Sequence, residues 1–373
     1  MLIPAILLIA VFFLLRKKQL IPARVFLIIG FTLAFSVLGL LLLELSDVLT
    51  DSHYQEIGNT ITHNLEFPTD ENQQRYQLIG LSHAATGMAQ YAQKNTEQRG
   101  ECTRNISEIV SFVLNEDHYP VVSNRRLWKD NIFEIIYINN ILAQYEIVKG
   151  TDTLSALHQR MNDYLAGTLV KSRYKNLQSF DGDVNYWTAD NTYLIFGLQS
   201  TDRITGQNTA GRPTKDWSSF IFKQITYPDS KLPCSAFSDT DKCKEMPHGT
   251  HLATMIASLA DVDPESSRQI WREYRHHYKN GVFGLFATFD QYHPEETPPA
   301  YQNSIRHPLD AISPEMPTLI AAARINDRLT YFQITNQLWL NEVFGSAPAP
   351  QPKGYEWKNF LELSLRFEAE TVF

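Results

Sequence analysis

Along this chain, strongly apolar helical stretches alternate with amphipathic ones, and each apolar stretch is entered through a polar turn or a carboxylate. The apolar stretches open near Leu81 (LSHAATGMAQYAQ), Asp130 (DNIFEIIYINNILAQYEIVKG), Asp190 (DNTYLIFGLQSTDRITG), Gly249 (GTHLATMIASLADVDP) and Glu315 (EMPTLIAAARINDRL). Their entries recur at roughly 50 to 65 residues. A second helix follows each: ISEIVSFVLN, SALHQRMNDYLAGTL, DWSSFIFKQITY, ESSRQIWREYRHHYKN and LTYFQITNQLWLNEVF. No such hairpin buries its apolar face alone, so the units must stack or close on one another. The predicted fold class is mainly α, an (α/α) barrel of helical hairpins around one central pocket. A final helix, EWKNFLELSLRFEAE, is placed to close the ring as part of an incomplete sixth hairpin.

Ahead of the hairpins the pattern changes. Residues 2–15 are apolar without interruption, and residues 25–43 form a second run without a charge. The second is long enough to cross a hydrocarbon core of about 30 Å as a helix. Arg16, Lys17, Lys18 and Arg24 lie between the runs, and Glu44, Asp47 and Asp51 follow them. Basic residues stay on the cytoplasmic side. The chain therefore reads as an N-terminal two-helix membrane anchor over 1–45, a polar connector over 46–76 and an (α/α) toroid domain over 77–373. The expected location is the inner membrane, with the C-terminal domain on the extracytoplasmic side.

Composition narrows the partners. The formal net charge of -8 disfavours nucleic acid, so the expected partners are a glycan or another small molecule, with the membrane held through the N-terminal helices. Cys234 and Cys243 bracket the polar loop CSAFSDTDKC and are close enough in sequence to pair as a disulfide. Cys102 is left over. No C-x-x-C spacing occurs, and no metal or other cofactor is expected.

In a ring of hairpins, the turns leading into the inner helices gather at one end of the barrel. Asp181, Asp183 and Asp190 fall in one such turn beside Tyr186, Trp187 and Asn191. Two carboxylates in different environments can divide acid and base roles, although Asp-Gly-Asp is also ordinary turn chemistry. His248 and His251 stand three apart at another threshold, where a helix would turn both imidazoles toward one ligand. The long segment 279–312 supplies Asp290, Tyr292, Tyr301 and Asp310. Trp128, Asp130 and Asn131 open the second apolar helix as Trp187, Asp190 and Asn191 open the third.

Serial hairpins with aromatic and acidic residues at the inner-helix entries resemble the six-hairpin (α/α) toroids of glycoside hydrolases, polysaccharide lyases, sugar epimerases and a terpene alcohol dehydratase/isomerase family. The resemblance spans roughly residues 77–370 and implies an active site in the central cavity. The expected function is a membrane-anchored enzyme acting on a glycan or polysaccharide by carboxylate acid/base chemistry. Asp181, Asp183 or Asp190 would be acid or base, His248 and His251 polarising groups, and Trp128, Tyr186 and Trp187 stacking platforms. Asp130, Asn131, Asn191, Asp290, Tyr292, Tyr301 and Asp310 would help bind substrate. A dehydratase or isomerase of an apolar alcohol and a non-catalytic glycan- or peptide-binding scaffold subunit stay open as alternatives.

Overall fold

The computed structural model describes Gly30 and residues 48–151, 154–180, 182–282, 284–293, 307–344 and 356–373. Two compact units divide between His53 and Tyr54, and the ring lies in the second. Its helices are α1 (Val48–His63, part of the ring unit from Tyr54 on), α2 (Glu71–Lys94), α3 (Arg99–Val113), α4 (Ile132–Lys149), α5 (Ser155–Lys171) and α6 (Thr188–Thr205). They continue with α7 (Gly211–Gln224), α8 (Gly249–Leu259), α9 (Pro264–Tyr278), α10 (Glu315–Arg324), α11 (Arg328–Phe344) and α12 (Glu356–Val372). Two short antiparallel pairs interrupt them. β1 (Asn185–Trp187) pairs with β2 (Ala236–Ser238), and β3 (Lys279–Val282) pairs with β4 (Phe286–Phe289).

The even-numbered helices from α2 to α12 form the inner layer, and the odd-numbered helices form the outer one. α2 packs on α4, α4 on α6, α6 on α8, α8 on α10, α10 on α12, and α12 back on α2, so the ring is closed. Inner helices are buried on nearly every side. In α4 the buried set runs from Ile132 to Val148 with few gaps, because neighbours press on all its faces. The outer helix α9 instead buries only Ser267, Ile270, Trp271, Tyr274 and Tyr278, one stripe at helical spacing. The sixth hairpin is shared between distant parts of the chain. Tyr54 of α1 stacks on Tyr91 of α2 at 5.0 Å and leans on Phe367 of α12 at 6.1 Å, while its hydroxyl accepts from Asn105 of α3 at 3.2 Å.

Polar side chains inside the ring satisfy one another, as burial requires. Asn140 of α4 donates to the hydroxyls of Ser82, Thr86 and Tyr193 at 2.9, 3.1 and 3.0 Å, which ties α4 to α2 and α6. Nearer the C-terminal ends of the inner helices, Arg324 pairs with Glu368, and His83 Nδ1 meets the other Glu368 oxygen at 2.6 Å.

The closure between α2 and α12 depends on two glycines a heptad apart. A Cβ on Gly80 would lie 2.8 Å from the Phe360 ring, and one on Gly87 would lie 2.7 Å from Phe367 and 3.2 Å from the Glu368 Cα. Gly167 in α5 has open space instead. Gly167→Ala should therefore gain up to about 1 kcal/mol from helix propensity. Gly87→Ala should lose about 1 to 2 kcal/mol, because overpacking outweighs the same gain. Urea unfolding of the two variants checks the opposite signs.

Among the described residues, no helix is long and apolar enough to cross a membrane. The two-helix membrane anchor, the membrane as a partner and the inner-membrane, extracytoplasmic placement are corrected accordingly. The long described helices α2, α4 and α6 turn their apolar surface toward protein neighbours within the ring and carry polar groups between them. The runs at 2–15 and 25–43 lie, apart from Gly30, outside the described residues. The stretch read as a polar connector holds all of α1 and the start of α2, opened by Asp70, whose carboxylate accepts the Gln73 N–H at 3.0 Å.

Candidate functional site

Three inner-helix entries and one turn converge on a cluster of imidazoles and carboxylates. α6 begins directly after β1, whose pairing puts Trp187 opposite Ala236, and the Thr188 N–H donates to the Ser235 carbonyl at 3.0 Å. Ser235 then uses its hydroxyl to accept the His248 N–H at 2.8 Å. The Cys234–Cys243 disulfide, with Cα atoms 5.5 Å apart, closes the loop between these contacts. His248 thus stands at the N-cap of α8 and His251 one turn in.

Gly249 between them has to be glycine. Its N–H donates to the Gln291 carbonyl at 2.8 Å, and a Cβ would fall 2.2 Å from the Asp290 carbonyl oxygen. Backbone offers no rotamer to swing away. Gly249→Ala should cost about 3 kcal/mol and loosen the segment that places Tyr292 edge-on to His248, 5.0 Å between ring centres. Chemical denaturation together with the rate of proteolytic cutting near residue 290 reads both effects.

The 3-10 turn Pro308–Ala311 brings in the remaining groups. Its N-cap His307 accepts the Leu309 N–H on Nδ1 at 3.2 Å, while Asp310 Oδ2 accepts the His307 N–H at 3.0 Å, a reciprocal capping box. Because Nδ1 accepts, Nε2 carries a proton, which it donates to Asp190 Oδ2 at 3.1 Å. Tyr137 donates to the other Asp190 oxygen at 3.5 Å. His251 Nε2 faces Asp310 Oδ1 at 3.0 Å, and His248 Nδ1 lies 3.7 Å from the same atom. Trp187 packs against both His251 and His307, with ring centres 5.3 and 4.7 Å apart.

Burial and charge set the protonation states. Desolvation lowers His248 to about 4, helped by the neighbouring His251, and it also lowers His251, so both imidazoles are neutral at pH 7. Burial works against an ionised Asp190, yet His307 above all holds its carboxyl below the usual range. Asp310 is likewise held low against its burial, chiefly by its hydrogen bond to His251.

Phe180 forms the wall between this cluster and a 140 Å³ cavity. One side of its ring meets His307 at 5.6 Å, and Phe133 lies 4.9 Å away. The cavity is lined by Arg75, Tyr119, Asp130, Asn131, Glu134 and Ser179 among others. The Arg75 guanidinium sits 4.3 Å over Phe180. Glu134, in the first turn of α4, is raised to about 7, mainly by burial, with Arg75 opposing the shift and Glu71 adding to it.

The residues singled out in the sequence therefore separate. Asp190, Trp187, His248, His251, Tyr292 and Asp310 come together in the cluster, and Asp130 and Asn131 reach the cavity. Asp183 spends one oxygen on the Asn185 N–H at 2.9 Å and the other on the Trp187 indole at 2.8 Å, so it braces the loop. Asp290 contributes its backbone against Gly249, and its side chain is exposed. Trp128 turns outward, donating to the Val121 carbonyl at 2.7 Å and packing edge-on to Tyr164 of α5. Tyr186 stacks on Phe237 and donates to Asp239 at 3.2 Å. Asn191 clamps the Leu177 backbone through its N–H and its carbonyl, at 2.7 and 3.0 Å. Asp181 and Tyr301 lie outside the described residues.

His307, Tyr137 and Glu134 were not singled out. His-Pro-Leu-Asp is a readable capping pattern, and Glu134 is a charge inside the apolar run IFEII. Neither signal says what the side chain will face.

No protein-family profile and no curated protein matches the chain. Among solved structures it is similar to a family 76 glycoside hydrolase from a bovine Bacteroides thetaiotaomicron strain, at 9% identity and a TM-score of 0.48, over 79% of this chain and 68% of that one. At the level of architecture the chain is a six-hairpin (α/α) toroid, as the closed contacts of its own inner helices establish.

Proposed function

We propose that this toroid is an acid/base enzyme acting on a glycan or a similar polyhydroxylated molecule, at the end of the ring where the inner helices begin. The observation that carries the reading is Glu134, a carboxyl raised to about 7 in an aromatic-walled cavity that a second carboxylate, Asp130, also lines. A general acid needs this combination, since it must hold its proton near neutral pH and still release it to a leaving oxygen. The acid role passes to Glu134 because Asp183 and Asp190 already use their oxygens to hold the Trp187 indole, His307 and Tyr137. Asp130 is the partner carboxylate. His251, Asp310 and His248 supply neutral and anionic hydrogen-bonding groups on the far side of Phe180.

The dehydratase or isomerase reading shares the acid and differs in substrate. It is favoured by the aromatic lining of Phe133, Phe180 and Tyr119, which suits an apolar alcohol as well as a sugar face. One panel separates the two. The full chain is incubated with oligosaccharides, polysaccharides and allylic alcohols, and reducing ends, unsaturated sugars and alkenes are assayed. Glycan products formed by the parent and lost in Glu134→Gln support the glycan reading, and alkenes alone transfer it to the alcohol. No product from a natively folded chain, or full activity in Glu134→Gln, contradicts both.

A further inference from the structure

We infer that His248, His251 and Asp310 form a binding site for one divalent transition-metal cation, zinc being the best fit. Among the described residues, these three offer one ligand atom each within 4.8 Å of one another. Asp310 Oδ1 lies 3.0 Å from His251 Nε2 and 3.7 Å from His248 Nδ1. Two nitrogen or oxygen ligands at about 2.1 Å from a tetrahedral or octahedral cation stand about 3.0 to 3.4 Å apart, close to the two separations measured from Asp310. The three ligand atoms lie within 4.8 Å of one another, so a swing of the His248 ring toward His251 by about 1 Å closes the set.

The chemistry of the donors agrees with the spacing. Two imidazoles and one carboxylate give the mixed nitrogen and oxygen set that zinc and its first-row neighbours accept, with coordination positions left over for water or a substrate oxygen. A loose surface cluster would have to order its side chains on binding, whereas here each ligand is already fixed. Asp310 is oriented by the capping box with His307, and its backbone carbonyl accepts from Gln291 at 3.0 Å. His251 is packed by Trp187 and by His307, 4.7 Å between imidazole centres. His248 is held between the Thr250 hydroxyl, 3.2 Å from Nδ1, and the Tyr292 ring. His307 stands behind His251 and stays committed to Asp190.

The inference does not depend on the glycan reading, because cation binding is measured without substrate. The full chain, stripped with a chelator, is titrated with Co²⁺ while its visible absorption is followed, and Zn²⁺ is then used as a competitor. One equivalent of Co²⁺ per chain is expected, displaced by one of Zn²⁺, with affinity lowered by at least about 100-fold in His248→Gln and in His251→Gln and unchanged in His277→Gln. His248 has a side chain 12% exposed and tolerates replacement better than the fully buried His251, so it decides the matter if His251→Gln fails to fold. Absence of stoichiometric binding by the natively folded parent overturns the site, as does equal affinity in the parent and a folded His248→Gln variant. A cation bound as expected beside an inert glycan panel would remove the proposed reaction and leave the metal site standing.

Discussion

Arg324→Met should destabilise the ring by about 3 to 5 kcal/mol, because it strands a buried carboxylate. Glu368 is almost completely enclosed, and burial alone would push its carboxyl up, yet Arg324 and then His83 hold it below the ordinary range. The same guanidinium donates to the Ala257 carbonyl at 3.0 Å and lies 4.4 Å over the Phe196 ring. One cation therefore joins α10 to α12, α8 and α6, and His83 adds α2 through Glu368 at 2.6 Å. Methionine fills much of the volume and supplies none of the charge. The melting temperature of a domain this size should fall by about 4 to 7 °C. Neutralising the partner as well, in Arg324→Met with Glu368→Gln, should restore more than half of the loss, since the penalty lies mostly in the unpaired charge. A double-mutant cycle by chemical denaturation reads the coupling, and additive losses would mean that the two groups stabilise the ring independently.

Glu134→Gln should lower turnover by about 100- to 10,000-fold and, at alkaline pH, stabilise the protein. The two effects share one cause. Glu134 titrates at about 7 when folded, against an ordinary value of 4.5. Below pH 4.5 the carboxyl is protonated in both states and costs nothing. Between pH 4.5 and 7 the unfolded chain ionises while the folded chain does not, so stability declines as pH rises and levels off once the folded group ionises. The full shift corresponds to about 3 kcal/mol. Glutamine has no such loss, so the variant should match the parent near pH 4 and exceed it by that amount at pH 8. In the parent, kcat/KM should fall about tenfold per pH unit above 7 as the acid loses its proton. Paired urea titrations at the two pH values test the stability half without any knowledge of the substrate.

How far the sequence carried can be judged from particular residues. The inner helices were legible because burial on all sides leaves long apolar runs, and the His248, His251 and Asp190 turns were legible because they interrupt those runs. What joins them was not. Asp310 meets His251 across 59 positions, and His307 meets Asp190 across 117. Each partner looks like ordinary turn chemistry in its own segment. The echo between Trp128 and Trp187 shows the limit of local pattern. Both precede an inner helix with nearby Asp and Asn, yet one indole is turned toward α5 and the other toward two imidazoles, since the direction depends on β2 and the Asp183 brace. The sixth hairpin was hard to read for a related reason. Its outer helix is α1, at the opposite end of the chain from α12. Glu134 needed the fold itself, because its pKa comes from burial by groups that the fold brings around it.

The most direct test of the proposed acid is the titration of Glu134 in the full chain, followed by carboxyl-carbon NMR of glutamate-labelled protein, with Glu134→Gln used to assign the signal. A midpoint near 7 is expected. A midpoint near 4.5 would mean an ordinary ionised glutamate at pH 7 and would contradict the acid role on which the proposed function rests.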